Sequence, residues 1–291
     1  MWMSFPDPHH PWDPPSSEWH RVDWPELALP DAYPSSVEAT IKVLAEKPRH
    51  WLDWYLGKTQ FNYEIPAEFK PCELTADQIR EVNALTHIEN ELIDEALGRV
   101  LTHLDKRGWG EDTDVIYSTD HGEFQGDFGM LFKGPYHVDA LMRVPLIWKP
   151  AARGAVQPAV IEQPVGHVDL ARTIFAIAGV EADARMQGAV LPQMPNNNRE
   201  RVITEWDGSY QGHDLRLRTI CRDGYVCTVC EPGTDHQGDE GELYDLRNDP
   251  RQWRNLWGHS DFAALQAELI ADLYDNLPPA RSPALAPVAL V

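Results

Sequence analysis

Basic residues are scarce: 25 Lys and Arg stand against 46 Asp and Glu, giving a formal charge of -21 and a pI near 4.8. So acidic a surface repels phosphate backbones and anionic headgroups, which argues against nucleic acid or an anionic membrane as partner. An anionic substrate would then need a focused cationic site, either a metal or a well-placed Lys. Long apolar runs are missing too, and nothing approaches the roughly 18 to 20 residues a membrane span needs. The opening "MWMSFPDPHHPWDPP" has neither a basic n-region nor an apolar h-region, so it does not read as a signal peptide. Cysteine is limited to Cys72, Cys221, Cys227 and Cys230, too few for a disulfide scaffold at this length. That points to a cytoplasmic or periplasmic compartment of bacterial type. Cys227 and Cys230 form a CxxC in "GYVCTVCEP", but the segment reads as a strand. Positions i and i+3 of a strand face opposite ways and cannot grip one metal together, and no second CxxC completes a zinc site. They are expected to be small buried residues.

What is present is globular: 43% apolar and 10% aromatic residues in 291 suffice for a sizeable core. Residues 1 to 35 are rich in Pro and Trp and read as irregular; Trp12, Trp19 and Trp24 there either line a pocket or cover the core. One or two short helices are expected over 36 to 60. A long helix is expected from about 76 to 107, opened by a capping box at Thr75 and Gln78, carried by apolar residues at helical spacing, and ended by Gly108. "DVIYST" (114 to 119) reads as a buried strand, "VPLIWKP" (144 to 150) as a second, and 167 to 179 as an amphipathic helix. From about 200 the texture changes to short strands, then a helix over about 261 to 276 and a Pro/Ala-rich tail. The fold class this predicts is α/β, part of a doubly wound mixed sheet flanked by helices, with a small C-terminal antiparallel sheet plus helix. Residues 1–199 form the α/β part and 200–291 the smaller unit. Only two central strands precede the change of texture, whereas an open sheet usually has about five or more, so the sheet looks unfinished on its N-terminal side.

The stretch "STDHGEFQGDFGMLFK" (118 to 133) follows the first of those strands directly. Ligands of α/β sheets sit beyond the carboxyl ends of strands. Asp120 and His121 fall there, and Gly122 lets the chain bend so that both turn toward one cation. Lys133 stands twelve residues after His121 in a glycine-bearing loop, where it could neutralise an anion held on that cation. Glu123 is either an orienting neighbour or a solvated glutamate. Arg143 is expected to be a structural ion-pair partner, and Tyr136 and His137 loop residues without a role. The acid-rich "TDHQGDEGELYDLRNDP" (234 to 250) lacks EF-hand spacing and reads as a solvated turn.

"VIYSTDHGEFQGDFGMLFKGPYHVDALMRVPLIW" resembles the metal and substrate loop of the sulfatase family, within the alkaline phosphatase superfamily. Three more segments agree in order: "SFPDPHHPWDPP" with the loop of the catalytic His, "HVDLARTIFAIAGV" with the helix after the second strand, and "GELYDLRNDPRQWRNLW" with the C-terminal motif. The resemblance implies Asp120 and His121 as metal ligands, Lys133 as the sulfate-binding lysine and His9 as the acid for the leaving group. His10 is set aside because neighbours in an extended loop face opposite ways. The implied reaction is metal-dependent hydrolysis of a sulfate monoester on a small molecule or saccharide. Calcium is the expected ion, with Mn²⁺ or Mg²⁺ as alternatives because imidazole is the softer ligand. A phosphonate monoester or phosphodiester hydrolase of the same superfamily is the other enzymatic reading.

The family's N-terminal Asp-Asp pair and its CxPxR-like nucleophile motif do not occur here, and Cys72 in "FKPCELTAD" matches no such motif. The chain is therefore expected to be a C-terminal portion. Its partner would be the missing N-terminal half or a second copy, and by itself it would be an inactive or nearly inactive fragment toward aryl sulfates.

Overall fold

Thr75 starts the longest helix as the capping box requires: Gln78 N–H donates to the Thr75 hydroxyl at 3.2 Å, and Thr75 N–H to the Gln78 side chain at 2.9 Å. The computed structural model describes residues 1–60, 65–66, 68–151, 158–192 and 199–279. This helix, α3 (Ala76–Lys106), follows two short ones, α1 (Val37–Leu44) and α2 (Arg49–Tyr55). Ser36 caps α1 by accepting from Ala39 N–H at 3.2 Å, and Gly108 leaves α3 at φ +71°, a conformation glycine adopts without penalty. Ile79, Ile88 and Ile93 of α3 are buried.

Next come β1 (Val115–Ser118), β2 (Phe124–Gln125), β3 (Leu131–Phe132), α4 (Asp139–Met142), β4 (Leu146–Lys149) and α5 (Val168–Ala178). β1 and β4 pair antiparallel, Ser118 opposite Leu146. The expected burial of β1 is not observed: all four of its residues are half-buried, and Ile147 beside it is 63% exposed. Among the described residues β4 is its only strand neighbour, so its apolar side chains lack a full cover.

Beyond residue 200 the chain forms one antiparallel sheet in sequence order, β5 (Arg201–Tyr210), β6 (His213–Arg222), β7 (Tyr225–Cys230) and β8 (Gly241–Asp245), followed by α6 (Ala263–Asn276). The β6–β7 hairpin turns on Asp223 and Gly224, both at positive φ, the requirement of a two-residue primed turn. Side-chain alternation gives the sheet two apolar faces. Ile220, Cys227 and Leu243 pack with Leu269 and Leu273 of α6. Val226 and Tyr244, on the other face, join a larger cluster with Leu44, Trp51, Phe124 and Phe128. The sheet is thus sandwiched, and its second face packs on the β2–β3 hairpin and the short helices α1 and α2. The Pro/Ala-rich tail lies, from residue 280 on, outside the described residues. No helix among the described residues is long and apolar enough to cross a membrane.

Candidate active site

Asp120 and His121 leave the carboxyl end of β1 on a tight bend. Gly122 N–H donates to Leu141 O at 2.8 Å, and a Cβ there would lie 2.0 Å from the Ala140 carbonyl oxygen, so no other residue fits. His121 N–H donates to Asp120 Oδ1 at 2.9 Å, and His121 Nδ1 donates to Gly122 O at 2.8 Å. His121 Nε2, the other ring nitrogen, lies 3.6 Å from Asp120 Oδ2. An imidazole nitrogen beside a carboxylate oxygen offers two donors of the kind a divalent cation takes. Burial acts to raise the Asp120 carboxyl, but the His121 ring, its N–H and the Thr119 hydroxyl outweigh it and hold the group below its usual range. Among the described residues no third His, Cys, Asp or Glu donor completes a metal cluster with this pair.

Lys133 follows β3, at the end of a hairpin anchored by the buried Phe124, Phe128 and Met130. Its Nζ lies 2.7 Å from His9 Nε2. His9 Nδ1 lies 2.6 Å from its neighbour's carbonyl, His10 O, which can only accept, so Nδ1 carries the proton and Nε2 receives the ammonium. Residues 124 positions apart thereby meet, the Pro-rich opening segment lying over the hairpin. The reason for setting His10 aside does not hold: the loop turns here, and the His9 and His10 rings stack with centroids 4.0 Å apart. His10 also meets the Phe132 ring edge-on at 4.9 Å and approaches Glu123 at 4.0 Å. Through that approach the His9–Lys133 pair connects with the Asp120–His121 bend. Glu123 is 18% exposed in its side chain, closer to the orienting reading than to the solvated one. Of the three tryptophans, Trp12 stacks on Phe132 at 5.4 Å, whereas Trp19 and Trp24 are 57% and 38% exposed.

Glu89 of α3 was not singled out from the sequence, having no signal beyond a charged residue on an apolar helix face. It accepts from Asp13 N–H at 3.0 Å and pins the opening segment. Burial, reinforced by Asp7 and Asp13, pushes its carboxyl from 4.5 up to about 7. A group raised in this way holds its proton in the folded state between those two values. Its stability contribution is complete below 4.5 and lost as pH rises through about 7. Glu89→Gln should therefore be more stable than the wild type at pH 8, by on the order of 2 kcal/mol, with the gap closing toward pH 4.5. Thermal melts at several pH values check this, and parallel pH profiles would refute it.

Arg143 is an ion-pair partner as expected, to Asp139 at 3.5 Å, and with its side chain 82% exposed the pair is a weak surface one. Other expectations are corrected by packing. His137 is buried and shares a 2.6 Å hydrogen bond with Thr219, and burial lowers its pKa to about 4. The acid-rich segment from Thr234 is no simple solvated turn, because His236 within it is fully buried. Cys227 and Cys230 are both buried in β7, as the strand reading expects.

The chain matches the family model "Sulfatase" over residues 54–180 and the model "N-sulphoglucosamine sulphohydrolase, C-terminal" over residues 126–277. It is 27% identical over 288 residues to the uncharacterized sulfatase YidJ of Escherichia coli, covering 97% of this chain and 52% of that protein. It is 29% identical over 184 residues to an N-acetylglucosamine-6-O-sulfatase of Bacteroides thetaiotaomicron, covering 61% of this chain and 32% of that one. Its fold is similar to that of the phosphonate monoester hydrolase of Agrobacterium radiobacter, with a TM-score of 0.78 at 22% identity over 93% of this chain and 55% of the other. The chain therefore spans about half the length, or less, of these relatives. With a family model matching more than half of its own length, the chain belongs to the sulfatase family of the alkaline phosphatase superfamily.

Proposed function

We propose that this chain carries the cation-binding and anion-binding part of a metal-dependent sulfuric ester hydrolase. The observation that carries the reading is the Lys133–His9 contact of 2.7 Å, with the Asp120–His121 pair at the carboxyl end of β1. Lys133 binds the sulfate group of the ester and offsets the charge that builds on it in the transition state. His9, once its Nε2 holds a proton, donates that proton to the departing alkoxide. Asp120 and His121 hold the divalent metal, calcium by preference with Mn²⁺ or Mg²⁺ as alternatives. When bound, the ion polarises the sulfate oxygens and favours the ionised form of the attacking hydroxyl. The sequence holds no CxPxR-like motif, so in this reading the nucleophile comes from polypeptide outside these 291 residues. A saccharide sulfate is the favoured substrate class, given the Bacteroides relative named for N-acetylglucosamine 6-O-sulfate chemistry.

A phosphonate monoester or phosphodiester is the second reading, favoured by the likeness in fold to the Agrobacterium enzyme. Calorimetric titration of calcium and manganese into the wild-type chain and Asp120→Ala tests the metal half of the proposal. Micromolar binding by the wild type that the variant loses is the expected result; no binding by the wild type would sink the claim of a competent half-site. Inorganic sulfate and phenylphosphonate, titrated into the metal-loaded chain, then separate the two substrate classes. Tighter binding of phenylphosphonate would move the assignment to the second.

A further inference from the structure

His50 opens the first turn of α2, Cys230 ends β7, and His236 sits in the connection from β7 to β8; all three are at most 1% exposed. Their ligand atoms lie within 4.8 Å of one another. His50 Nδ1 and His236 Nε2 face each other at 3.0 Å. His50 Nε2 meets Pro135 O at 3.1 Å, and a carbonyl can only accept, so that nitrogen donates. His236 Nδ1 lies 3.1 Å from Glu240 Oε2, without the alignment of a hydrogen bond.

With its outer nitrogen donating, His50 turns Nδ1 inward, toward His236 Nε2 at 3.0 Å and the Cys230 sulfur. Three soft or borderline donors thus converge in one fully buried place, and the thiolate form of Cys230 would balance the charge of an ion held there.

We propose that His50, His236 and Cys230 bind one soft or borderline d¹⁰ ion, Zn²⁺ or Cu⁺, in a structural site distinct from the Asp120–His121 pair. One outer contact fits that role. Metal-ligating histidines characteristically donate their second N–H to a backbone carbonyl or a carboxylate, and Pro135 O plays that part for His50. The donor set of two imidazoles and one thiolate suits zinc and copper(I), whereas calcium prefers oxygen. On binding, the thiol proton of Cys230 leaves to solvent and the sulfur binds as thiolate, so uptake releases about one proton. The ion would latch the β7–β8 connection onto α2, and through Pro135 onto the segment that follows Lys133. The proposal does not depend on the catalytic reading.

The test uses the intact chain, stripped with chelator and titrated separately with Zn²⁺, Cu⁺ and Co²⁺. One equivalent of zinc or copper(I) should bind and raise the melting temperature. Cobalt should give a thiolate-to-metal charge-transfer band in the near ultraviolet. Cys230→Ser should remove that band, and Cys230→Ser and His236→Ala should each weaken zinc binding by more than about tenfold, since each removes a ligand. Asp120→Ala should change none of these readouts, which separates this site from the catalytic one. If the stripped, folded wild type takes up neither zinc nor copper(I), or if Co²⁺ binds without a charge-transfer band, the proposal is overturned. Binding that Cys230→Ser and His236→Ala leave unchanged would overturn it as well.

Discussion

Glu242→Ala should destabilise the protein by about 3–5 kcal/mol, because it strands a buried ammonium. Lys47 and Glu242 both have side chains that are 0% exposed and lie 4.0 Å apart. Tyr244 bridges them, with Lys47 Nζ donating to the Tyr244 hydroxyl at 2.5 Å and that hydroxyl donating to Glu242 Oε1 at 2.5 Å. Lys47 also donates to Gln252 O at 2.7 Å and lies over the Trp51 and Phe128 rings at 4.6 Å. Burial lowers its pKa to about 8, with Glu242 acting against that fall. Without the carboxylate, the lysine keeps its desolvation cost and loses its counter-charge. A melting temperature lower by about 6–20 °C is the corresponding readout. The double variant Lys47→Met/Glu242→Leu removes both charges and should recover most of the loss, since well-packed apolar pairs often match buried ion pairs. A double variant no more stable than Glu242→Ala would show that the tyrosine and packing contacts matter more than the charge balance.

Gly122→Ala should cost about 3 kcal/mol and abolish calcium or manganese binding together with it. The added methyl would meet the Ala140 carbonyl oxygen at 2.0 Å and the Leu141 Cα at 3.0 Å, and both are backbone atoms that cannot rotate away. Relief requires separating the bend from α4, at the upper end of overpacking costs, and this moves the two residues directly before it. Gly98→Ala is the control. Nothing lies within 4 Å of the Cβ it would add on α3, and alanine there should stabilise by about 0.5–1 kcal/mol. Calorimetry on both variants checks the pair of expectations. An undiminished metal heat in Gly122→Ala would show that the bend does not position Asp120 and His121.

Local rules made the α3 boundaries, the β5–β8 strands and the bend at Gly122 legible, because capping, alternation and glycine placement act within a few residues. The contact between His9 and Lys133 spans 124 positions, and it was the family resemblance, not any periodicity, that put both residues in one site. Pleat alternation does not govern His10, because the segment turns there and stacks the His9 and His10 rings. His236 and Glu242 were illegible for another reason. A polar residue in an acid-rich stretch looks solvated until its distant partners are known, and those partners, His50 and Lys47, lie almost two hundred positions away. Burial of β1 was overestimated because a β-branched run reports a strand's propensity to be covered and says nothing of how many neighbours it has.

In the proposed reaction the contact between Lys133 and His9 would act as an interlock. An ammonium that donates to His9 Nε2 blocks that nitrogen from serving as the acid. An arriving anion would compete for Lys133, draw it away, and leave Nε2 able to take up the proton it later delivers. In the proposed reaction the charge of the substrate is thus what readies the acid, and an uncharged ester of the same shape would leave it disarmed.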